Sequence, residues 1–308
     1  MILTVTLNTA LDITYRVPAL APHTSHRVEE VVERPGGKGL NVARVLSALG
    51  HESVVTGFAG GPAGALLRRL LAPLPPHDAL VPIAGTTRRT IAVVDGSTGD
   101  TTQLNEPGPV IAPEEWAALL DRYTALLASA RAVALCGSLP PGLHVGAYAE
   151  LIRRARAAEV PVLLDTSGEP LRRGVAARPD LVKPNAAELA QLTGGRDPLH
   201  AAHDARRRGA HAVIASLGPA GLLAVTPEGS WQAAPPAPAA GNPTGAGDSA
   251  VAALLAGLVE GLPWPRRLAR AVALSTATVL APAAGEYDRA AYERLLPLVD
   301  VSERAGPA

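Results

Sequence analysis

Short unbroken apolar runs, separated by longer stretches with helical spacing, dominate the last two-thirds of the chain. AVALC (132–136), VPVLLD (160–165), PDLVK (179–183) and HAVIAS (211–216) each have the length of a strand buried on both faces. Between such runs, GAYAELIRRARAAE and AAELAQLTG carry apolar residues at helical spacing. The second closes on Gly194 and Gly195, as a C-cap does. This rhythm predicts right-handed crossovers and an α/β domain whose mostly parallel sheet is covered by helices on both faces.

The N-terminal third has a different pattern. After a first apolar strand, ILTVTL, come DITYRV and HRVEEVVE, then RRTIAVVD and TTQLN, all alternating in polarity like strands with one wet face. They predict a small antiparallel sheet standing off the main body, built from about 12–33 and 86–105. LNVARVLSAL (40–49) reads as an amphipathic helix closed by Gly50, and ESVVTGF as a further core strand. With no internal repeat and no long linker, residues 1–308 are expected to form one domain. A Pro/Ala-rich loop at 234–240 and a frayed tail after about Asp300 complete the reading.

Composition narrows the function. The 308 residues are 47% hydrophobic and 18% charged, with 28 basic and 28 acidic side chains. No basic run interleaved with aromatics marks a nucleic-acid or membrane surface, so a bound anion must be met by local groups. The apolar stretch from Ala250 meets Glu260 and Pro263 too soon to span a bilayer. MILTVTLNTALD does not read as a signal peptide, and the single Cys136 is compatible with a reducing compartment. A cytoplasmic protein is expected. Lys38 and Lys183 are the only lysines among the 28 basic residues. An ammonium is a compact point charge that a guanidinium does not replace, which draws attention to RPGGKGLN and VKPN.

GNPTGAGDS (241–249) runs directly into AVAALLAGLV, so Gly245, Ala246, Gly247 and Asp248 open a helix whose free amides favour an anion. The run satisfies G-x-G-x-x-A through Ala250. A dinucleotide fingerprint, however, needs a preceding strand, whereas a Pro/Ala loop leads in here and helical sequence continues to about Leu280. A carboxylate also repels pyrophosphate. It suits phosphoryl transfer, in which amides 245–248 hold the phosphate and Asp248 accepts a hydroxyl proton. The plainer alternative is a first-turn acid complementing the helix dipole.

Other motifs add to this one. RPGGKGLN (34–41) sets Lys38 at another helix start, without the Ser or Thr of a Walker A loop. TLNTALD (6–12) empties a strand into Asn8 and Asp12, where open α/β sheets bind ligands. In KPNAAELAQL (183–192), Asn185 and Glu188 have capping-box spacing, and also the oxygen chemistry of hydrated Mg²⁺. SLGPAG (216–221) is a glycine-rich turn, and Arg88 stands at the mouth of a small-sheet strand. His200 and His203, three apart on a polar helix, read as exposed rather than as metal ligands.

Taken in order, TLNTALD, GGKGLNVARVL, CGSLPPG, DTSG, KPNAAEL, SLGPAG and PTGAGDS resemble the signatures of the ribokinase-like, or PfkB, carbohydrate kinases over nearly the whole chain. The pattern is most similar to the phosphosugar branch containing 1-phosphofructokinase and tagatose-6-phosphate kinase. The resemblance implies a three-layer α/β/α domain with a β-sheet lid, ATP with Mg²⁺ as donor, and a phosphorylated ketohexose as acceptor. Asp248 then matches the catalytic base and Gly245, Ala246 and Gly247 the anion hole. Asp12, Gly37, Lys38 and Asn41 match sugar contacts, and Arg88, Lys38 and Ser138 surround the substrate phosphate. Lys183, Asn185, Glu188, Ser216, Gly218 and Gly221 match the nucleotide side, with Glu188 reaching Mg²⁺ through water. A homodimer through the lid is implied as well. Thr9 stands where many relatives have proline, and Arg89 beside Arg88 leaves open which guanidinium faces the substrate. A kinase for a free sugar or nucleoside, and a non-catalytic binding regulator, remain alternatives.

Overall fold

The computed structural model describes residues 1–239, 241–281 and 284–305. Its main sheet has eleven strands: Ile2–Thr6 (β1), Ser53–Gly60 (β4), His77–Asp78 (β5), Val81–Ile83 (β6), Ala132–Cys136 (β9), Val162–Asp165 (β10), Leu181–Val182 (β11), Ala212–Ser216 (β12), Leu222–Val225 (β13), Ser230–Ala233 (β14) and Val301–Glu303 (β15). They lie in the order β15-β14-β13-β12-β11-β10-β9-β1-β4-β5, with β6 also paired to β4. Pairing is parallel from β5 to β12 and antiparallel from β12 to β15.

Alternate residues of the central strands serve two different cores. Leu3, Val5, Val133, Leu135, Val162 and Leu164 meet one helical layer, whereas Ile2, Ala132, Ala134 and Leu163 meet the other. A strand with no wet face has no polar positions, which is why these segments read as unbroken apolar runs. The first layer is Pro113–Leu127 (α3), Ala147–Ala157 (α4), Gly168–Ala176 (α5), Ala186–Thr193 (α6) and Pro198–Arg207 (α7). The second is Lys38–Ala48 (α1), Ala246–Val259 (α8) and Trp264–Val279 (α9). Gly61–Leu71 (α2) joins α1 over β4, and Arg289–Leu295 (α10) packs on α9. Every residue of α8 from Asp248 to Gly257 is buried, and from Ala250 to Gly257 the helix is apolar all round.

The small sheet comprises Ala10–Val17 (β2), Glu30–Gly36 (β3), Arg88–Asp95 (β7) and Thr101–Asn105 (β8), ordered β3-β2-β7-β8. It is mixed, not antiparallel as expected. β2 and β7 run parallel, which is open to them because the long excursion through α1, β4 and α2 separates them in sequence. β3 starts at Glu30 and runs on to Gly36, so it hands the chain directly to α1, which begins at Lys38. One face of this sheet, with Asp12, Thr14, Arg34, Thr90 and Gln103, lines a cavity of about 190 Å³ together with Asn41, Arg44 and Thr244. The opposite face carries Ile13, Tyr15, Val31, Ile91, Val93 and Leu104.

Three more expectations need correction. The tail beyond Asp300 supplies β15, which pairs Val301 with Ala233 and Glu303 with Trp231. The helical stretch expected to reach Leu280 divides at 260–263, where Pro263 stands at the start of α9. The strand expected at 179–183 shrinks to Leu181–Val182. Ala240, at the end of the Pro/Ala loop, lies outside the described residues.

Candidate active site

The parallel strands end level with one another. Thr6 pairs with Cys136, Cys136 with Asp165, and Lys183 comes one residue beyond the Leu164–Val182 pair. Asp165 is only 2% exposed, and both lysines of the chain converge on it: Lys38 Nζ lies 3.3 Å from Oδ2 and Lys183 Nζ 3.6 Å from Oδ1. Two compact ammonium groups thus share one carboxylate, a geometry that planar guanidinium forks do not reproduce. The lysines differ in surroundings, since the Lys38 side chain is 44% exposed and that of Lys183 only 5%. Burial works against the Lys38 ammonium, but Asp165 and Asp248 outweigh it and its pKa lies above the usual lysine value.

Above this edge, α8 begins with Gly245 in the left-handed region, at φ +86°, and a side chain there would also collide with Ala284. That turn places Asp248 in the first turn of α8, buried, with Asn41 Nδ2 of α1 donating to its Oδ2 at 2.9 Å. Burial pushes the Asp248 carboxyl up to about 6. Asp165 adds to the rise, while Lys38, the Asn41 hydrogen bond and Lys183 pull the other way. A Cβ on Gly247 would lie 3.5 Å from Lys183 Nζ, so this ammonium stands beside the free amides of the helix start.

The small sheet brings a second acid and a cation to the same side. Asp12 is pushed up to about 6 by burial, against the pull of Arg88, a Thr90 hydrogen bond and Arg44. Arg88 is half-buried and donates to two neutral carbonyls, from Nε to Asn8 O and from Nη1 to Glu106 O, both at 3.2 Å. It forms no ion pair with a described residue. Arg89, on the other face of β7, pairs with Glu106 at 2.7 Å. Burial lowers the Arg88 pKa, and Asp12 opposes that. Gly37 precedes α1, and exposed Ser138 follows β9.

On the far side, Asn185 and Glu188 form the capping box that their spacing predicts: Glu188 N donates to Asn185 Oδ1 at 2.8 Å and Asn185 N to Glu188 Oε2 at 2.9 Å. Asn185 bridges to Ser216, so the Lys183–Glu188 and Ser216–Gly221 segments are neighbours. Gly218 is exposed on this turn, whereas Gly221 is buried behind it. Arg44, which the sequence did not single out, lies one helical turn after Asn41 and donates to Ala284 O at 3.2 Å and Glu286 Oε1 at 2.8 Å. His200 is exposed and bonded to Asp197; His203, against expectation, is partly buried. Among the described residues no three His, Cys, Asp or Glu side chains gather to hold a metal, and no helix is long and apolar enough to cross a membrane.

An α/β sheet whose carboxyl edge meets two helix starts, roofed by a separate β-sheet, is the architecture of a ribokinase-like sugar kinase. Residues 5–289 match the pfkB family of carbohydrate kinases, and the chain belongs to that family. It is 39% identical over 289 residues to 1-phosphofructokinase from Rhodobacter capsulatus, a match covering 91% of this chain and 92% of that protein. It is 30% identical to phosphofructokinase-2 from Escherichia coli in complex with fructose-6-phosphate, with a TM-score of 0.89 over 96% of this chain and 98% of that one. Ribokinase from Arabidopsis thaliana complexed with ribose and ATP is 21% identical and shares the fold, with a TM-score of 0.72 over 96% of this chain and 98% of that one.

Proposed function

We propose that this protein transfers the γ-phosphoryl group of ATP to a hydroxyl of a phosphorylated ketohexose, with Asp248 as general base. The observation that carries the reading is the placing of Asp248: a buried, pKa-raised carboxylate at a helix start, fixed by Asn41 and flanked by two lysines. A base with a pKa near 6 is ionised at neutral pH yet holds a proton more firmly than a free aspartate. The amides of Gly245, Gly247 and Asp248 and the Lys183 ammonium face the charge that develops on the transferring group, whereas Ala246 N, expected to join them, donates to Pro243 O at 3.1 Å. Asp12 and Asn41 orient sugar hydroxyls beside Gly37, while Arg88, Lys38 and Ser138 hold the existing phosphate. Ser216, Gly218 and the Lys183–Glu188 segment border the nucleotide, with Gly221 shaping their turn.

The free carboxylate oxygen of Glu188 and the absence of a dedicated ligand cluster among the described residues fit a hydrated Mg²⁺ carried by the nucleotide phosphates, where it would neutralise charge. The apolar outer face of the small sheet, with Val31 and Leu104 each 56% exposed, supports a homodimer formed lid against lid. Leu104→Asp is expected to shift sedimentation towards the monomer; an unchanged profile removes this interface.

A panel of fructose 1-phosphate, fructose 6-phosphate, tagatose 6-phosphate, fructose, ribose and adenosine with ATP tests the function. Turnover is expected with one of the three phosphosugars; turnover confined to the free sugars or adenosine overturns the reading. Within that panel, Arg88→Ala is expected to raise the phosphosugar KM by about 10- to 100-fold, the scale of one charge-assisted hydrogen bond. Arg89→Ala should change it little, because that guanidinium is spent on Glu106. The reverse ranking would move the phosphate site to the other face of β7.

A further inference from the structure

We propose that Asn8 is a positioning residue that holds Arg88 and Ser138 together as one anion grip and so sets the preference for a phosphorylated over a free sugar. This rests on the reading of the site as one for a phosphosugar. Asn8 is 6% exposed, just past the end of β1. Its Nδ2 donates to Pro107 O and to Ser138 Oγ, both at 3.1 Å. Its backbone carbonyl accepts from Arg88 Nε at 3.2 Å. One residue therefore ties together the end of β1, the segment after β8, the loop after β9 and the cation on β7.

The orientation of the Asn8 amide follows from its surroundings. Pro107 O only accepts, so nitrogen must face it, and Nδ2 uses both of its N–H groups on Pro107 and Ser138. Oδ1 is left buried without a partner, pressed against Gly108, where a Cβ would come within 2.2 Å of it. Gly108 has φ +98°, so neither its backbone nor the space admits a side chain. An unpaired buried oxygen is costly, and here the cost accompanies two donors fixed in direction.

The side-chain amide and the backbone carbonyl of Asn8 between them decide what Ser138 and Arg88 have left to offer. Ser138 Oγ accepts from Asn8, so its own hydroxyl proton is free to donate to an anion. Arg88 has Nε and Nη1 tied to neutral carbonyls, which leaves Nη2 uncommitted and the guanidinium in no ion pair with a described residue. Arg89 shows the contrast, with its guanidinium occupied by Glu106. Without the Asn8 side chain, the hydroxyl loses its fixed polarity and Pro107 its side-chain tether, so that Glu106 O, the other brace of Arg88, is held only by the contacts of its own residue with Arg89.

The test compares kcat/KM for the preferred phosphosugar of the panel with that for the same sugar lacking its phosphate, in wild type, Asn8→Ala and Arg88→Ala. Asn8→Ala is expected to lower the ratio of the two values by about 10- to 100-fold through the phosphosugar KM, with the KM for ATP held within a few-fold. Combined with Arg88→Ala, the loss should be smaller than the product of the separate losses, as for residues acting as a unit. If Asn8→Ala does not fold, Asn8→Leu keeps the approximate size, removes the donor without adding charge and should show the same change. A fall shared equally by both sugars, or multiplicative losses, makes Asn8 a scaffold residue and overturns the proposal. A wild type that does not favour the phosphorylated sugar overturns the phosphosugar reading itself, a result visible before any variant is assayed.

Discussion

Asp248→Asn is expected to lower kcat by about 10²- to 10⁴-fold at pH 7, the scale for losing a positioned general base, while the folded protein becomes no less stable. The two halves of this expectation share one cause. Burial raises the carboxyl from 3.8 to about 6, so the folded state binds that proton more tightly than the unfolded chain does. Ionised Asp248 therefore costs stability. The full cost is present above about pH 6, where both states are ionised, and it disappears below the unfolded value of 3.8, where both are protonated. A shift of this size corresponds to roughly 1–3 kcal/mol. An amide removes that cost and still offers an oxygen to Asn41, although it gives up the attraction of Lys38. The variant should melt at or above the wild-type temperature at pH 8, and the difference should close as pH falls towards 4. In wild type, kcat should fall about tenfold per pH unit below about 6. Near-normal turnover removes Asp248 as the base. A clearly lower melting temperature at pH 8 would show that the charge is held more favourably than its burial implies.

The sequence carried much of this site because its parts lie at helix starts and strand ends, where local spacing has a direct structural meaning. GNPTGAGDS had to turn before a helix, and KPNAAEL closed as a capping box on residues three apart. What stayed hidden depends on register and distance. Asp165 was legible only as part of DTSG; its place between both lysines follows from three strands ending level across the sheet. Alternation along β7 separates Arg88 from Arg89, but which of them faces Asp12 depends on pairing with β2, formed across more than seventy intervening residues. Arg44 and Glu286 meet only through the fold. At three residues, β15 is too short for any periodicity, and its pairing with β14 comes from chain return at the sheet edge.

Asp165→Asn is expected to destabilise the fold by about 3–5 kcal/mol, the range for removing one partner of a buried charged pair. The cost comes from what is left behind more than from the contact removed. Lys183, 5% exposed, would be left with no carboxylate at contact distance, whereas Lys38, 44% exposed, still reaches water. The two lysines should therefore respond differently in urea unfolding. Adding Lys183→Met to Asp165→Asn deletes the stranded polar group and should recover a substantial part of the loss; adding Lys38→Met should recover little. Equal recovery from both would remove the asymmetry between the two lysines, and a loss below about 1 kcal/mol for Asp165→Asn alone would mean that neither ammonium depends on this carboxylate. The asymmetry also bears on catalysis. Under the proposed function, the buried Lys183 would serve as a fixed charge beside the α8 amides, while the half-exposed Lys38 would have the freedom to turn from Asp165 towards an arriving phosphate. Under the same proposed function, the Asp165 carboxylate would align donor and acceptor sides together, and its loss should raise the KM of ATP and phosphosugar together, where Arg88→Ala raises only the second.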